Sequence, residues 1–297
     1  MKLAIVGNGA IGNLVVLKSY LQHQDFAVIS RTKQTFTLAA TDIHQQKHNI
    51  PISLIDYRPL HDVNIIILPV KAYQIVTAVT ELKPHMNNDQ TLVLLHNGMG
   101  VIEAVKALLP QNPIIAATTS HAAYKPNMHS LVETGLGACH LGYVANENEI
   151  TAHQCNALLT ALLAPCTWHT NIEQALWDKL AVNAVINPLT AIHKIKNGQL
   201  ALGQYQSIIT DICRETANVI NASGFNADDR VLVHNVMQIV NATSENYSSM
   251  YQDINHQRPS EIAFINGYIC QEAKKQALKV PVNQDLFERI RALEEYN

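Results

Sequence analysis

Apolar positions follow two different patterns along this chain. In the first half, short and nearly continuous apolar runs alternate with stretches of helical spacing. Residues 2–6 form such a run, ended by Gly7, and 26–30, 63–68, 91–95 and 114–118 repeat it. Runs of this length, rich in β-branched residues and bounded by Gly, Pro or His, read as strands buried on both faces. Helical spacing fills 10–23 and 101–109 between them. The alternation predicts an α/β fold with a parallel sheet covered by helices on both sides. From about Asn171 the pattern changes. Long helical periods occupy 172–185, 205–222, 227–244 and 262–279, punctuated by Gly198, Gly224 and Pro281, with no strand signal. The expected organisation is an α/β domain over 1–170 followed by an all-α domain over 171–297, and 297 residues is a length that suits two domains.

Composition narrows the function classes. Hydrophobic residues make up 47%, which excludes a disordered chain. Charged residues are only 15%, below the roughly 25% usual for soluble domains. The 26 Asn and 14 His supply much of the missing polarity. A net charge of −3 provides no basic field for a nucleic-acid backbone. Small anionic ligands need only local charge and stay open. Five Cys, an odd count with no CxxC and no metal spacing, read as reduced thiols rather than a disulfide scaffold or a metal site. No apolar run approaches the roughly 20 residues that span a membrane. The first apolar run is also too short for a signal peptide. A cytoplasmic protein without a membrane partner is expected. The apolar face of 205–220 suits a homodimer or a core-facing helix equally well.

Gly7-Asn8-Gly9-Ala10-Ile11-Gly12 follows the first strand and opens the first helix. In that context the GxGxxG pattern is a dinucleotide fingerprint. Gly7 permits the tight turn, Gly9 lets backbone approach a pyrophosphate, and Gly12 lets helix and strand pack closely. The unpaired N–H groups of the helix start then face the phosphates. At the end of the second strand, proteins that bind NAD carry an acidic residue for the ribose 2′-hydroxyl. This chain has Ser30-Arg31 instead. A guanidinium pairs with a 2′-phosphate, so NADPH is the expected cofactor. Lys71 and Asn97 each lie just past a strand's carboxyl end, where doubly wound sheets bind ligands; for Lys71 alone, a solvated cation is an equal reading.

Lys179, Asn183 and Asn187 stand at i, i+4 and i+8, separated almost wholly by apolar residues. On a helix they form one stripe that drifts about 40° per step. An ammonium and two amides on an otherwise buried helix point to a wet cleft holding a polar ligand. Asn is also a poor choice for a merely solvated helix face. Pro188 lacks an N–H, so the helix is expected to end or kink after Asn187. Downstream, Arg258-Pro259-Ser260-Glu261 reads as a helix start, where Glu261 serves the helix dipole.

Together these blocks resemble the ketopantoate reductases (2-dehydropantoate 2-reductases) of pantothenate biosynthesis, over nearly the whole chain. The resemblance rests on Gly7 to Gly12, Leu68-Pro69-Val70-Lys71, His96-Asn97-Gly98-Met99-Gly100, Thr118 to Ala123, Leu176 to Ala191, Asn197-Gly198, Glu245 to Asp253 and Glu261 to Gly267. It implies a Rossmann-type domain binding NADPH, an all-helical second domain, and a site in the cleft between them. It also implies hydride reduction of ketopantoate to pantoate. Lys179 would then be the general acid and touch substrate. Asn97, Asn183, Asn187, Asn197 and Ser249 would hold the substrate. Gly7, Asn8, Gly9, Ala10, Ile11, Gly12, Arg31, Lys71, Asn97, Ala123 and Glu261 would contact the cofactor. Gln199 and Ser120 depart from the Glu and Thr common at their positions. A related oxidoreductase acting on another 2-keto acid fits the first half equally well. A non-catalytic NADPH-binding regulator is the rival of another class, and retention of Lys179 argues against it.

Overall fold

A computed structural model describes residues 2–31, 34–55 and 58–295. The chain divides into two compact units. Met1–His96 and Val101–Ile172 form the first, and Asn97–Gly100 with Glu173–Asn297 the second.

The first unit is built on an eleven-stranded sheet. Its strands are β1 (Leu3–Val6), β2 (Phe26–Ile29), β3 (Gln34–Thr41), β4 (Lys47–Ile55), β5 (Ile65–Leu68), β6 (Thr91–Leu95), β7 (Ile114–Thr119), β8 (Ala122–Tyr124), β9 (Ser130–Gly135), β10 (Cys139–Ala145) and β11 (Cys166–Trp168). The spatial order is β11-β10-β7-β6-β5-β1-β2-β4-β3-β9-β8. From β7 to β4 every neighbouring pair is parallel. Strands β1, β5 and β6 are buried along their whole length, as their unbroken apolar runs demand. Among the described residues four α-helices accompany the sheet: α1 (Ala10–Leu21), α2 (Ala72–Leu82), α3 (Ile102–Leu108) and α4 (Glu149–Leu163). Leu14, Val15, Val16 and Leu17 of α1 are fully buried in the core.

Antiparallel strands extend this parallel core on both sides, an addition that the apolar runs do not announce. Strand β3 runs antiparallel to β4, β10 to β7 and β8 to β9. The β3–β4 pair shows the cause. One Asp42 carboxylate oxygen accepts the backbone N–H groups of His44 and Gln46, each at 2.9 Å. That tight turn leaves the chain only an antiparallel return. Along β4, Ile50, Ile52 and Leu54 are buried while Asn49, Pro51 and Ser53 are exposed. That alternation marks a strand with one wet face, unlike the continuous runs of the central strands.

The second unit is helical: α5 (Ile172–His193), α6 (Gln206–Ala222), α7 (Asp229–Ala242), α8 (Ser249–Asn255), α9 (Asn266–Lys275) and α10 (Pro281–Glu295), with short 3-10 turns between some of them. Trp177 of α5, 1% exposed, sits in its core with the rings of Phe225 and Tyr268 nearby. The apolar face of α6 is spent inside the unit, with Ile209, Ile212, Cys213, Val219 and Ile220 buried.

Helix α5 does not end at Asn187. It continues through Pro188 to His193. Proline removes the N–H that would bond the Ala184 carbonyl. Here the Asn266 side-chain amide donates to that carbonyl instead, at 3.0 Å in a buried setting. The same amide donates to Asn283 Oδ1 at 3.0 Å. The Asn283 side chain donates in turn to the Glu215 carboxylate at 2.8 Å. Glu215 also accepts the first-turn N–H groups of Val282 and Asn283, each at 2.9 Å, and so caps α10. One buried polar chain therefore ties α5, α9, α10 and α6 together.

Candidate active site

The first unit supplies a turn suited to a dinucleotide's phosphates. Strand β1 ends in Gly7, whose φ of +90° strongly favours glycine. A Cβ on Gly12 would stand 2.9 Å from the Gly7 carbonyl oxygen, so only glycine allows α1 to pack this close. Gly9 is the N-cap of α1 and gives no side-chain cap, and no acidic residue stands in the first turn. The first N–H groups of α1 thus keep their capacity for an anion. Above Gly9, a Cβ would meet nothing nearer than the Pro69 carbonyl at 3.9 Å. The residues fit a pyrophosphate.

Strand order arranges the charges around this turn. Strands β5 and β2 lie on either side of β1 and parallel to it. Their carboxyl ends therefore share the edge that carries the glycine turn. Arg31, exposed, lies just beyond β2, and Lys71, half-buried, precedes α2 beyond β5. Ala123 lies in β8, paired in register with Glu133. The sequence reading missed Lys125, one residue past β8. Its ammonium donates to the Asn8 carbonyl at 2.8 Å. Partial burial holds Lys125 below the usual lysine range. The two residues are far apart in the chain, so no local motif announces the contact.

The second unit gathers the amides. Lys179 and Asn183 are half-buried, and Asn187, 6% exposed, is buried, all on the unbroken α5. The Asn97–Gly100 segment belongs to this unit because Met99 N–H donates to the Phe264 carbonyl at 2.8 Å. Gly98 makes this approach possible: its φ is +80°, and a Cβ would fall 2.5 Å from that same carbonyl. Asn97 is then brought to Glu261, its side-chain amide 3.5 Å from the carboxylate. Glu261 itself is only 4% exposed and precedes a single 3-10 turn rather than a long helix.

Asn197 and Ser249 are held by a second set of contacts. The Asn197 backbone N–H donates to the Asn246 carbonyl at 2.9 Å, and its side-chain amide to Thr243 Oγ1 at 2.9 Å. Its Oδ1 is buried and has no hydrogen-bond partner among the described residues. Such an acceptor is costly to bury unless a donor reaches it. Ser248 caps α8 by accepting the Tyr251 N–H, and it accepts the Thr190 hydroxyl at 2.7 Å. That bond fixes the start of α8 to α5 one turn beyond Asn187, leaving the neighbouring Ser249 exposed. The structure thus brings Asn97 to Glu261, aligns Lys179, Asn183 and Asn187 on one helix, and anchors Ser249 to that helix through Ser248. No group of His, Cys, Asp and Glu among the described residues is arranged to hold a metal. No helix among them is long and apolar enough to cross a membrane.

Comparison with known proteins bears on both units. The family model described as ketopantoate reductase PanE/ApbA matches residues 3–146, and its C-terminal counterpart matches 171–294. The 2-dehydropantoate 2-reductase of Vibrio cholerae is 37% identical over 99% of this chain and 98% of its own length.

The chain belongs to the ketopantoate reductase family.

The family is one of oxidoreductases. The corresponding enzyme of Escherichia coli O157:H7 is 34% identical over 99% of this chain and 95% of its own. The fold is shared with a ketopantoate reductase of Ralstonia eutropha at a TM-score of 0.89 and 23% identity, covering 100% of this chain and 99% of that one. A D-mandelate dehydrogenase solved with NADH and anilino(oxo)acetate has the same fold at a TM-score of 0.92 and 22% identity, with the same coverage. The ketopantoate reductase fold alone therefore does not select the substrate.

Proposed function

We propose that this chain reduces ketopantoate (2-dehydropantoate) to pantoate with NADPH, Lys179 acting as general acid. The observation that carries the reading is the polar stripe Lys179, Asn183 and Asn187 on the buried, unbroken α5. A bound nicotinamide would supply hydride to the keto carbon. The glycine turn and α1 of the first unit hold the phosphates, with Arg31 on the 2′-phosphate and Lys71, Ala123, Asn97 and Glu261 as further contacts. Reduction turns the keto oxygen into an alkoxide. Lys179 donates a proton to it and, as a cation, stabilises the charge while it develops. Asn97, Asn183, Asn187, Asn197 and Ser249 orient the substrate with neutral donors and acceptors, which supplies alignment rather than charge. The unpartnered Asn197 Oδ1 suits a substrate hydroxyl. Glu261, bonded to Asn97, orients the groups around it.

The test follows NADPH consumption with ketopantoate and with a panel of other 2-keto acids. Ketopantoate is expected to give the highest kcat/KM. A clear preference for another 2-keto acid would overturn the substrate assignment, and no turnover with any would favour a nucleotide-binding regulator. A ketopantoate reductase of Staphylococcus aureus is dimeric. A homodimer is the assembly we propose, and sedimentation of the purified chain tests it.

A further inference from the structure

Lys125 differs from Lys18, another partly buried lysine of the first unit, in what it bonds. Lys18 is matched by the Glu133 carboxylate at 2.7 Å. Lys125 makes no ion pair among the described residues; its bond is to a backbone carbonyl, that of Asn8. A half-buried ammonium without a carboxylate is costly, and desolvation holds it below the usual lysine range. The carbonyl it bonds belongs to the middle residue of the Gly7-Asn8-Gly9 turn. An ammonium has three N–H donors, and Asn8 takes one. Strand β8, which ends at Tyr124, packs against α1 and so delivers Lys125 to the turn.

We infer that Lys125 is a cofactor-anchoring residue, whose ammonium fixes the Asn8 carbonyl and lends its remaining donors to the pyrophosphate of a nicotinamide dinucleotide. The inference rests on the proposed use of such a cofactor. It assigns Lys125 a role distinct from that of Arg31. The pyrophosphate is common to NADH and NADPH, so Lys125 serves both, whereas Arg31 serves the 2′-phosphate alone. An anion at the turn also supplies a countercharge, which Lys125 does not find among the described residues.

The experiment is a fluorescence titration of the purified full chain with NADPH and with NADH, read as a dissociation constant without turnover. Adenosine 2′-monophosphate, which carries the 2′-phosphate but no pyrophosphate, is titrated by competition. Lys125→Met is expected to weaken NADPH and NADH by the same factor, about tenfold, the size of one charge-assisted hydrogen bond. Binding of adenosine 2′-monophosphate should not change. Lys125→Arg should restore most of the loss. Unchanged affinity for both dinucleotides in Lys125→Met would overturn the inference. So would a lowered melting temperature with no change in affinity, which is the mark of a purely structural lysine. A second measurement needs no variant: trace acetylation of the wild-type chain with acetic anhydride, quantified at Lys125 by peptide mass spectrometry. Saturating NADH should protect Lys125 several-fold, and equal labelling with and without NADH would count against it. If the wild-type chain binds neither dinucleotide, the cofactor assignment itself fails, and that outcome differs from a silent Lys125→Met.

Discussion

Replacing Asn266 with Ala tests how α5 survives its internal proline. The substitution strips two buried bonds, one to the Ala184 carbonyl and one to Asn283 Oδ1, each 3.0 Å long. An orphaned buried carbonyl costs about 1–3 kcal/mol. Asn283 loses a donor to its oxygen but keeps its own bond to Glu215. Some of the loss returns, because Asn266 Oδ1 is itself buried without a partner among the described residues and leaves with the side chain. The net expectation is a loss of about 2–3 kcal/mol. Chemical denaturation measures it, in a Trp168→Phe background so that fluorescence reports only Trp177 of the helical unit. The decisive arm is a double-mutant cycle with Pro188→Ala, which returns to the helix the N–H that Ala184 lacks. In that background Asn266→Ala should cost at least about 1 kcal/mol less, within the coupling typical of contacting residues. An equal cost in both backgrounds would refute the account of Asn266 as a substitute donor.

Lys179→Ala should lower turnover with ketopantoate by about two to four orders of magnitude, the usual loss for a general acid; near-normal turnover would remove Lys179 from that role. Arg31→Ala should raise the KM for NADPH much more than the KM for NADH, and equal effects would sink the assignment of the 2′-phosphate to Arg31. Among the thiols, a hydrogen bond from Cys139 pulls Cys166 below its ordinary range, with burial opposing and Thr160 assisting. Burial pushes Cys155 and Cys213 up to about 12 and Cys270 to about 11. A lower value means more thiolate at a given pH, so iodoacetamide should alkylate Cys166 before those three. Peptide mapping that finds any of the three labelled first would contradict this order.

The parts legible in the sequence were those encoded by local repetition. Unbroken apolar runs revealed β1, β5 and β6 because strands buried on both faces have no polar positions to interrupt them. The β3–β4 hairpin gives a weaker signal: β4 alternates Ile50, Ile52 and Leu54 with exposed residues, the period of a strand with one wet face, but Pro51 in its middle argues against a strand. That Pro188 does not end α5 has a different cause. Proline does remove the helix bond, but the replacement donor, Asn266, stands far along the chain, and only packing brings it to Ala184. The pattern likewise pointed to Glu261 as a helix-start charge, while the structure buries it and bonds it to Asn97, a contact that the Gly98 turn creates. Residues that act through a distant partner carry no local signal.

Charge shows the same limit of local reading. Residues 1–170 hold 10 Lys plus Arg and 10 Asp plus Glu, and residues 171–297 hold 11 and 14, so the net −3 lies wholly in the second stretch. A neutral average for the first stretch says nothing about where its cations stand. Because β5, β1 and β2 are adjacent and parallel, the residues that follow them share one edge, and Arg31 and Lys71 follow there. Lys125 joins them through its bond to Asn8. Acidic residues are absent from the first turn of α1, and Glu133, a buried carboxylate of the same unit, is already engaged by Lys18. Topology thus concentrates positive charge at a helix start inside a unit of no net charge. Such local charge suffices for an anion of nucleotide size, whereas a nucleic-acid backbone would require it spread over a whole face.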